Sequence, residues 1–230
     1  SFLITGGLAA VHSKDRTKQS IWDALNNKET YGTSGDRILL WFDLLNGDKD
    51  KIPMGSETSL SESPIFEVNA VGAFKQNPGC PEFSLNSLDP DRLEKLCGGE
   101  CYNPSDERKL ISRIEIIRIL PQTSANEDVG QLIQDPWKTF VCDPDETGCT
   151  FKFQDDEFIS LDREAVYYAR AIQESSDTIN ANNLRCEYDE NGICIKINPC
   201  YGDYKTSKTD DCLAPSEERA WSSPIFINKL

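Results

Sequence analysis

At 230 residues the chain exceeds one small domain and falls short of two ordinary ones, so one large domain, or one domain plus a fragment, is expected. Its 38% hydrophobic residues suffice for a core, and a chain this long buries roughly 70% of its unfolded surface, which excludes a disordered acidic tail. The net charge of −15 argues against nucleic acid as a partner, no apolar run is long enough for a transmembrane segment, and the one histidine, His12, excludes a histidine-rich metal cluster within this chain.

In chain order, residues 1–11 carry no initiating methionine and no signal-peptide pattern, and read as the inside of a domain. His12 follows a short predicted strand over 8–11. A histidine at a strand end can ligate a metal or shuttle protons, so it is the candidate for a catalytic or metal-binding residue; the plainer reading is a surface histidine. Ser13 and Asp15 lie near it without making a triad. Residues 17–28 predict a helix with Ile21, Trp22 and Leu25 on one apolar stripe.

The run GTSGDR (32–37), like TGG (5–7), has the composition of a phosphate-cradling loop. That chemistry needs free amides, usually at a helix start, and here an apolar strand follows, so a turn is the simpler reading. Residues 37–45 predict a strand buried on both faces. A linker-like stretch from Asn46 to Ser63 then suggests a domain boundary near residue 46.

Beyond it the chain predicts strands. Residues 65–71 alternate with Phe66, Val68 and Ala70 on one face. Residues 111–120 alternate with Ile114, Ile116 and, after a change of phase at Ile117, Ile119. Residues 166–172 and 221–227 follow, with Pro224 at an edge or bulge, and Trp221 suits a core or inter-sheet anchor. A short helix over 90–96 is capped by Asp89 and exits at Gly98. The fold class expected is mainly β: an immunoglobulin- or fibronectin-like sandwich with long disulfide-stapled loops, preceded by a strand–helix unit, α+β overall.

Nine cysteines lack any Cys-x-x-Cys knuckle, so disulfides in an oxidising, periplasmic or secreted setting fit better than zinc. Cys142 with Cys149, and Cys186 with Cys194, read as clasps across hairpin turns, and Cys200 with Cys212 closes a polar loop. Cys80, Cys97 and Cys101 supply two further partners and leave one odd thiol. The acidic tips at 143–146 and 189–192 do not follow the EF-hand pattern and read as solvated turns. Arg170 is expected at solvent or paired to a carboxylate, and Glu217, Glu218 and Arg219 as a local ion cluster.

The ordered set GGLAAV (6–11), IWDAL (21–25), ETYGTSG (29–35) with RILL (37–40), PMG (53–55), RIEIIR (113–118), DPW (135–137), YYAR (167–170) and RAWSSP (219–224) resembles the C-terminal portion of the bacterial domain-of-unknown-function 3604 family, and the cysteine-bearing segments resemble a cysteine-rich branch of it. That family is similar to metal-dependent phosphoesterases of the polymerase-and-histidinol-phosphatase type. The resemblance implies divalent metals held by an upstream barrel domain of the same protein or by a second chain. It implies that 1–45 is the last strand–helix unit of that barrel with a connecting strand, and that 46–230 is an appended sandwich. No family metal ligand maps onto a position here, so this chain alone is expected to be a non-catalytic accessory domain without a cofactor of its own. The alternative is a stand-alone extracellular binding module for a glycan or protein, with Tyr188, Tyr201 and Tyr204 as loop contacts.

Overall fold

The computed structural model describes residues 6–47, 51–97, 101–200, 207 and 209–230. The elements run β1 (Leu8–Val11), α1 (Lys18–Asn26), β2 (Thr30–Thr33), β3 (Leu39–Leu44), β4 (Ile52–Pro53), β5 (Glu57–Leu60), β6 (Ile65–Val71) and β7 (Phe74–Pro78). Then come α2 (Glu82–Ser87), α3 (Pro90–Cys97), β8 (Tyr102–Arg108), β9 (Ile111–Ile119), α4 (Val129–Leu132), β10 (Ile133–Val141), β11 (Cys149–Gln154), α5 (Phe158–Leu161) and β12 (Ala165–Ile179). The chain finishes with α6 (Ala181–Arg185), β13 (Glu187–Tyr188), β14 (Cys194–Lys196), β15 (Leu213–Ser222) and β16 (Ile225–Lys229).

Two sheets face each other, and the fold is mainly β, a disulfide-bonded sandwich. In the larger sheet β10 pairs β9 and β9 pairs β12. The far edge of β12 is divided: Ala165–Tyr167 meets β16, and Arg170–Ile179 meets β15. Through β15 the sheet continues to β2 and β1; through β16 it reaches β5, which runs parallel. The second sheet has the order β11-β6-β3-β4.

Phe66, Val68 and Ala70 all point inward along β6, as strict alternation requires. Phe66 stacks on Phe42 and Phe153 and meets Tyr167 of the opposite sheet with ring centroids 4.7 Å apart. These rings, with Leu40, Ile114 and Ile116, form the centre of the core.

Several expectations need correcting. β3 is not buried on both faces. Leu40, Phe42 and Leu44 enter the core, while Trp41 reaches solvent on the other side. On β9 the alternation continues without a change of phase. Ile114, Ile116 and Arg118 face the second sheet, Ile117 is buried on the opposite face, and Ile119 is half-buried. Trp137 bridges the sheets by packing on Phe153 and Tyr167; like Trp221 it is half-buried. Pro224 separates β15 from β16, so the last expected strand is two. Its carbonyl accepts the Gly55 N–H at 3.0 Å, and the chain changes sheet partners there.

The stretch from 46 to 63 carries β4 and β5 and is pinned by Asn46, whose side chain donates to Ser63 O at 2.9 Å and accepts from Ile65 N at 2.8 Å. β2 belongs to the larger sheet and β3 to the smaller, so strands on the two sides of residue 46 share both sheets.

Helix α1 begins at Thr17, whose hydroxyl accepts the Ser20 N–H. Helix α3 starts with Asp89 accepting from Asp91 N at 3.0 Å and runs to Cys97; its expected exit, Gly98, lies outside the described residues. Disulfides join Cys80 to Cys101, Cys142 to Cys149, Cys186 to Cys194 and Cys200 to Cys212. The first connects the ends of the β7–β8 pair and the third closes the β13–β14 hairpin. The second is not a hairpin clasp. Its cysteines end β10 and start β11, which lie in different sheets, so it ties one layer of the sandwich to the other.

Candidate functional site

A cleft of ≈ 470 Å³ opens where the ends of the antiparallel β1–β2 pair meet the β7–β8 pair. It is lined by Gly6, Leu8, Gly35, Asp36, Arg37 and Ala73, with Phe74, Gln76, Tyr102 and Pro104 on the other wall. It therefore joins the two glycine-bearing runs that look like phosphate loops in sequence.

The wall turn is clamped at two points. Ser34 N donates to Arg219 O at 2.9 Å, Ser34 Oγ accepts from Arg219 N at 2.8 Å, and the same hydroxyl donates to the Glu218 carboxylate. Asp36 Oδ2 accepts from Lys109 Nζ at 2.6 Å and from Gln173 Nε2 at 2.5 Å. Gln173 is wholly buried, and its Oε1 accepts the Ala73 N–H at 2.9 Å, so one amide fixes both the turn and the cleft floor. With Ser34 and Asp36 held and Ile38 buried, Arg37 projects outward, exposed and without an ion pair or hydrogen bond among the described residues.

Phe74 lines the opposite wall, and Arg108, outside the lining, is its register partner across β7 and β8. The Arg108 guanidinium lies 3.8 Å from the ring centroid, and its Nη1 donates to Gly72 O at 2.7 Å. Gly72 must be glycine, because a Cβ there meets the Lys109 carbonyl oxygen at 1.8 Å.

His12 is not in this cleft. Its Nε2 lies 2.8 Å from Leu40 O, and its ring sits between Tyr31 and Trp41, with centroids at 5.3 and 5.7 Å. A ring nitrogen donating to a carbonyl presents no lone pair to a metal at that atom. Ser13 and Asp15 serve the start of α1: Ser13 Oγ donates to Ser20 Oγ at 2.9 Å, and Asp15 accepts from the Thr17 N–H and hydroxyl, which lowers its carboxyl.

Among the described residues, one group brings three potential ligand atoms within 4.8 Å: Cys200, Asp210 and Cys212. Both sulfurs are joined in a disulfide, so neither offers a thiolate. The acidic tips act as turn caps: Asp145 accepts from Thr147 N at 2.7 Å, and Asp189 from Asn191 N at 2.9 Å and Ile193 N at 2.8 Å. Tyr188 is exposed; Tyr201 and Tyr204 lie outside the described residues.

Arg170 pairs with Glu115 and Asp135. The 217–219 run is not a local cluster, since Glu217 takes a bidentate pair from Arg113 at 2.8 and 2.9 Å while Glu218 takes Ser34. Sequence separation hides such partners, which only the register of β9, β12 and β15 brings together.

A second feature is a surface. Helix α1 covers β1 with Ala24 and turns Ile21, Trp22 and Leu25 outward; Trp22 is 63% exposed and Leu25 48%. Together they make one exposed apolar helix face.

No helix among the described residues is long and apolar enough to cross a membrane. Four disulfides fit an oxidising, extracytoplasmic setting. Neither curated proteins nor solved structures gave a match. Residues 2–72, the segment carrying β1 to β6, the α1 face and one wall of the cleft, match a protein family described as "Protein of unknown function (DUF3604)", and over that segment the chain is similar to this family.

Proposed function

We propose that this chain is the non-catalytic accessory domain of a periplasmic or secreted, metal-dependent phosphoesterase-like protein, and that its α1 face packs against the catalytic barrel. The observation that carries this reading is the exposed Ile21, Trp22 and Leu25 stripe, which falls within the segment similar to the 3604 family. Burying a tryptophan and a leucine side chain stabilises a contact by about 1.5–3 kcal/mol each, enough to make this face an anchor. Divalent metals and the hydrolytic water then belong to the barrel, and the sandwich supports it or borders its cleft.

The test compares this chain alone with the same chain covalently continuous with the barrel region. Trp22 should be quenched freely by acrylamide in the isolated chain and protected in the longer protein. The α1 amides should gain hydrogen-exchange protection in parallel, and Trp22→Ala with Leu25→Ala should remove it. Equal quenching and exchange in both forms would overturn the packing. Phosphate-ester hydrolysis by the purified chain with added manganese or zinc would overturn the accessory role.

A further inference from the structure

The cleft beside the 34–37 turn has a charge and shape that the accessory role does not require. In a chain of net charge −15, its lining holds one cation, Arg37, and one carboxylate, Asp36. Asp36 is the one acid on its wall, and Lys109 already neutralises it at 2.6 Å. Arg37 adds a cation with no partner among the described residues. Arg108 is not a lining residue; its plane rests on Phe74 and helps to set that ring in place.

The remaining surface is apolar. Phe74 and Leu8 expose about two-fifths of their area, at 39% and 40%. A volume of ≈ 470 Å³ falls within the ~300–1,000 Å³ of small-molecule sites. An unpaired guanidinium is a planar donor fork that fits a carboxylate or phosphate bidentately, and it stays charged at every physiological pH.

We propose that this cleft binds a small organic anion, with its carboxylate or phosphate on Arg37 and its ring or hydrocarbon body against Phe74. The site is rigid where rigidity helps. The turn carrying Arg37 is fixed by Ser34 and by the Asp36–Gln173–Ala73 chain of hydrogen bonds, so little loop ordering opposes binding. The proposal does not depend on a barrel domain, since every residue it uses lies in this chain.

Two-dimensional NMR of the whole chain, titrated with phenyl phosphate and with benzoate, tests it. Benzyl alcohol and inorganic phosphate separate the apolar and charged contributions. We expect shifts confined to the amides of 34–37 and 73–76, with dissociation constants on the order of 1 mM or tighter for the aromatic anions. Either lone fragment should bind at least about tenfold more weakly. Arg37→Gln should weaken the anions about tenfold or more and leave benzyl alcohol unchanged, while Phe74→Ala should weaken all aromatic probes. Stronger retention of phenyl phosphate than benzoate assigns the phosphate class, and the reverse assigns the carboxylate class. Arg37 is exposed, so its variant should melt with the parent, and a melting check separates binding loss from misfolding. Shifts away from the cleft, equal binding by Arg37→Gln, or no shifts with any aromatic anion would overturn the proposal.

Discussion

Arg118 is 2% exposed, and every nitrogen of its fork has a partner. Nη1 reaches both Asp155 oxygens at 3.0 and 2.8 Å, Nη2 reaches Glu157 at 2.6 Å, Nε reaches Gln134 at 2.6 Å, and the plane lies 4.4 Å from the Trp137 ring. Asp155 also accepts the Tyr167 hydroxyl at 2.6 Å. Burial pushes the Tyr167 phenol far up, and the neighbouring carboxylate adds to that, so Tyr167 is a permanent donor. Removing the acid strands a buried cation. Asp155→Ala should cost ~3–5 kcal/mol, whereas Tyr167→Phe should cost ~1–2 kcal/mol, read as denaturant midpoints at constant slope. Equal costs would show that the Arg118 charge is relieved by water or by Glu157 alone. This network was half-legible in the sequence. An unbroken period of two from Ile114 would point Arg118 inward, but Ile117 beside Ile116 reads as a change of phase that turns it out, and its partners lie 16 to 39 residues away.

At the scale of elements, the disulfides differ in what they hold. The bond between Cys142 and Cys149 bridges the two layers and is buried with the core. The bond between Cys186 and Cys194 closes a hairpin that forms its own two-stranded sheet and exposes Ile193 and Ile195. Replacing the first pair by serine should lower global stability by about 2–3 kcal/mol in the loop-entropy account, measured by urea unfolding. Replacing the second should chiefly accelerate amide exchange within 187–196 and leave the global midpoint nearly unchanged. A large global loss from the second pair would mean that the hairpin is part of the cooperative core. The turn dipeptide Asn191-Gly192 and the short cysteine intervals point to these same pairs. What the intervals do not encode is that β10 and β11 part into different sheets. Likewise, alternation identifies β6 and β9, but the cleft joins four separate segments that no local pattern connects.

For the whole molecule, acid is the informative variable. Glu127 is held at about 2, chiefly by Arg163 at 2.8 Å and then by the Thr123 and Ser124 amides. Glu217 is lowered by Arg113, Asp210 by Arg185, and Asp162 by Lys229. Each folded value lies below the unfolded one, so unfolding takes up protons. The stability these groups contribute is present above the ordinary carboxylate value, 4.5 for Glu127, and is lost as pH falls toward 2. Asp43 opposes them: burial raises its carboxyl despite Lys51. The melting temperature should therefore fall across that window. In Arg163→Met, the Glu127 carboxyl followed by NMR should move back up toward its ordinary value. An unchanged Glu127 midpoint in that variant would shift the credit to the two amides.

The divided edge of β12 also orders events in time. Its partners β15 and β16 come late in the chain, and the Thr30 and Ser223 hydroxyls that meet at 3.0 Å are 193 residues apart. A ribosome delivers β2 long before the strand that must lie beside it, so the larger sheet stays open until synthesis of this region is nearly done. For a chain whose cysteines oxidise outside the cytoplasm, that delay is useful. It lets sheet closure and disulfide formation proceed together once the last strands are present.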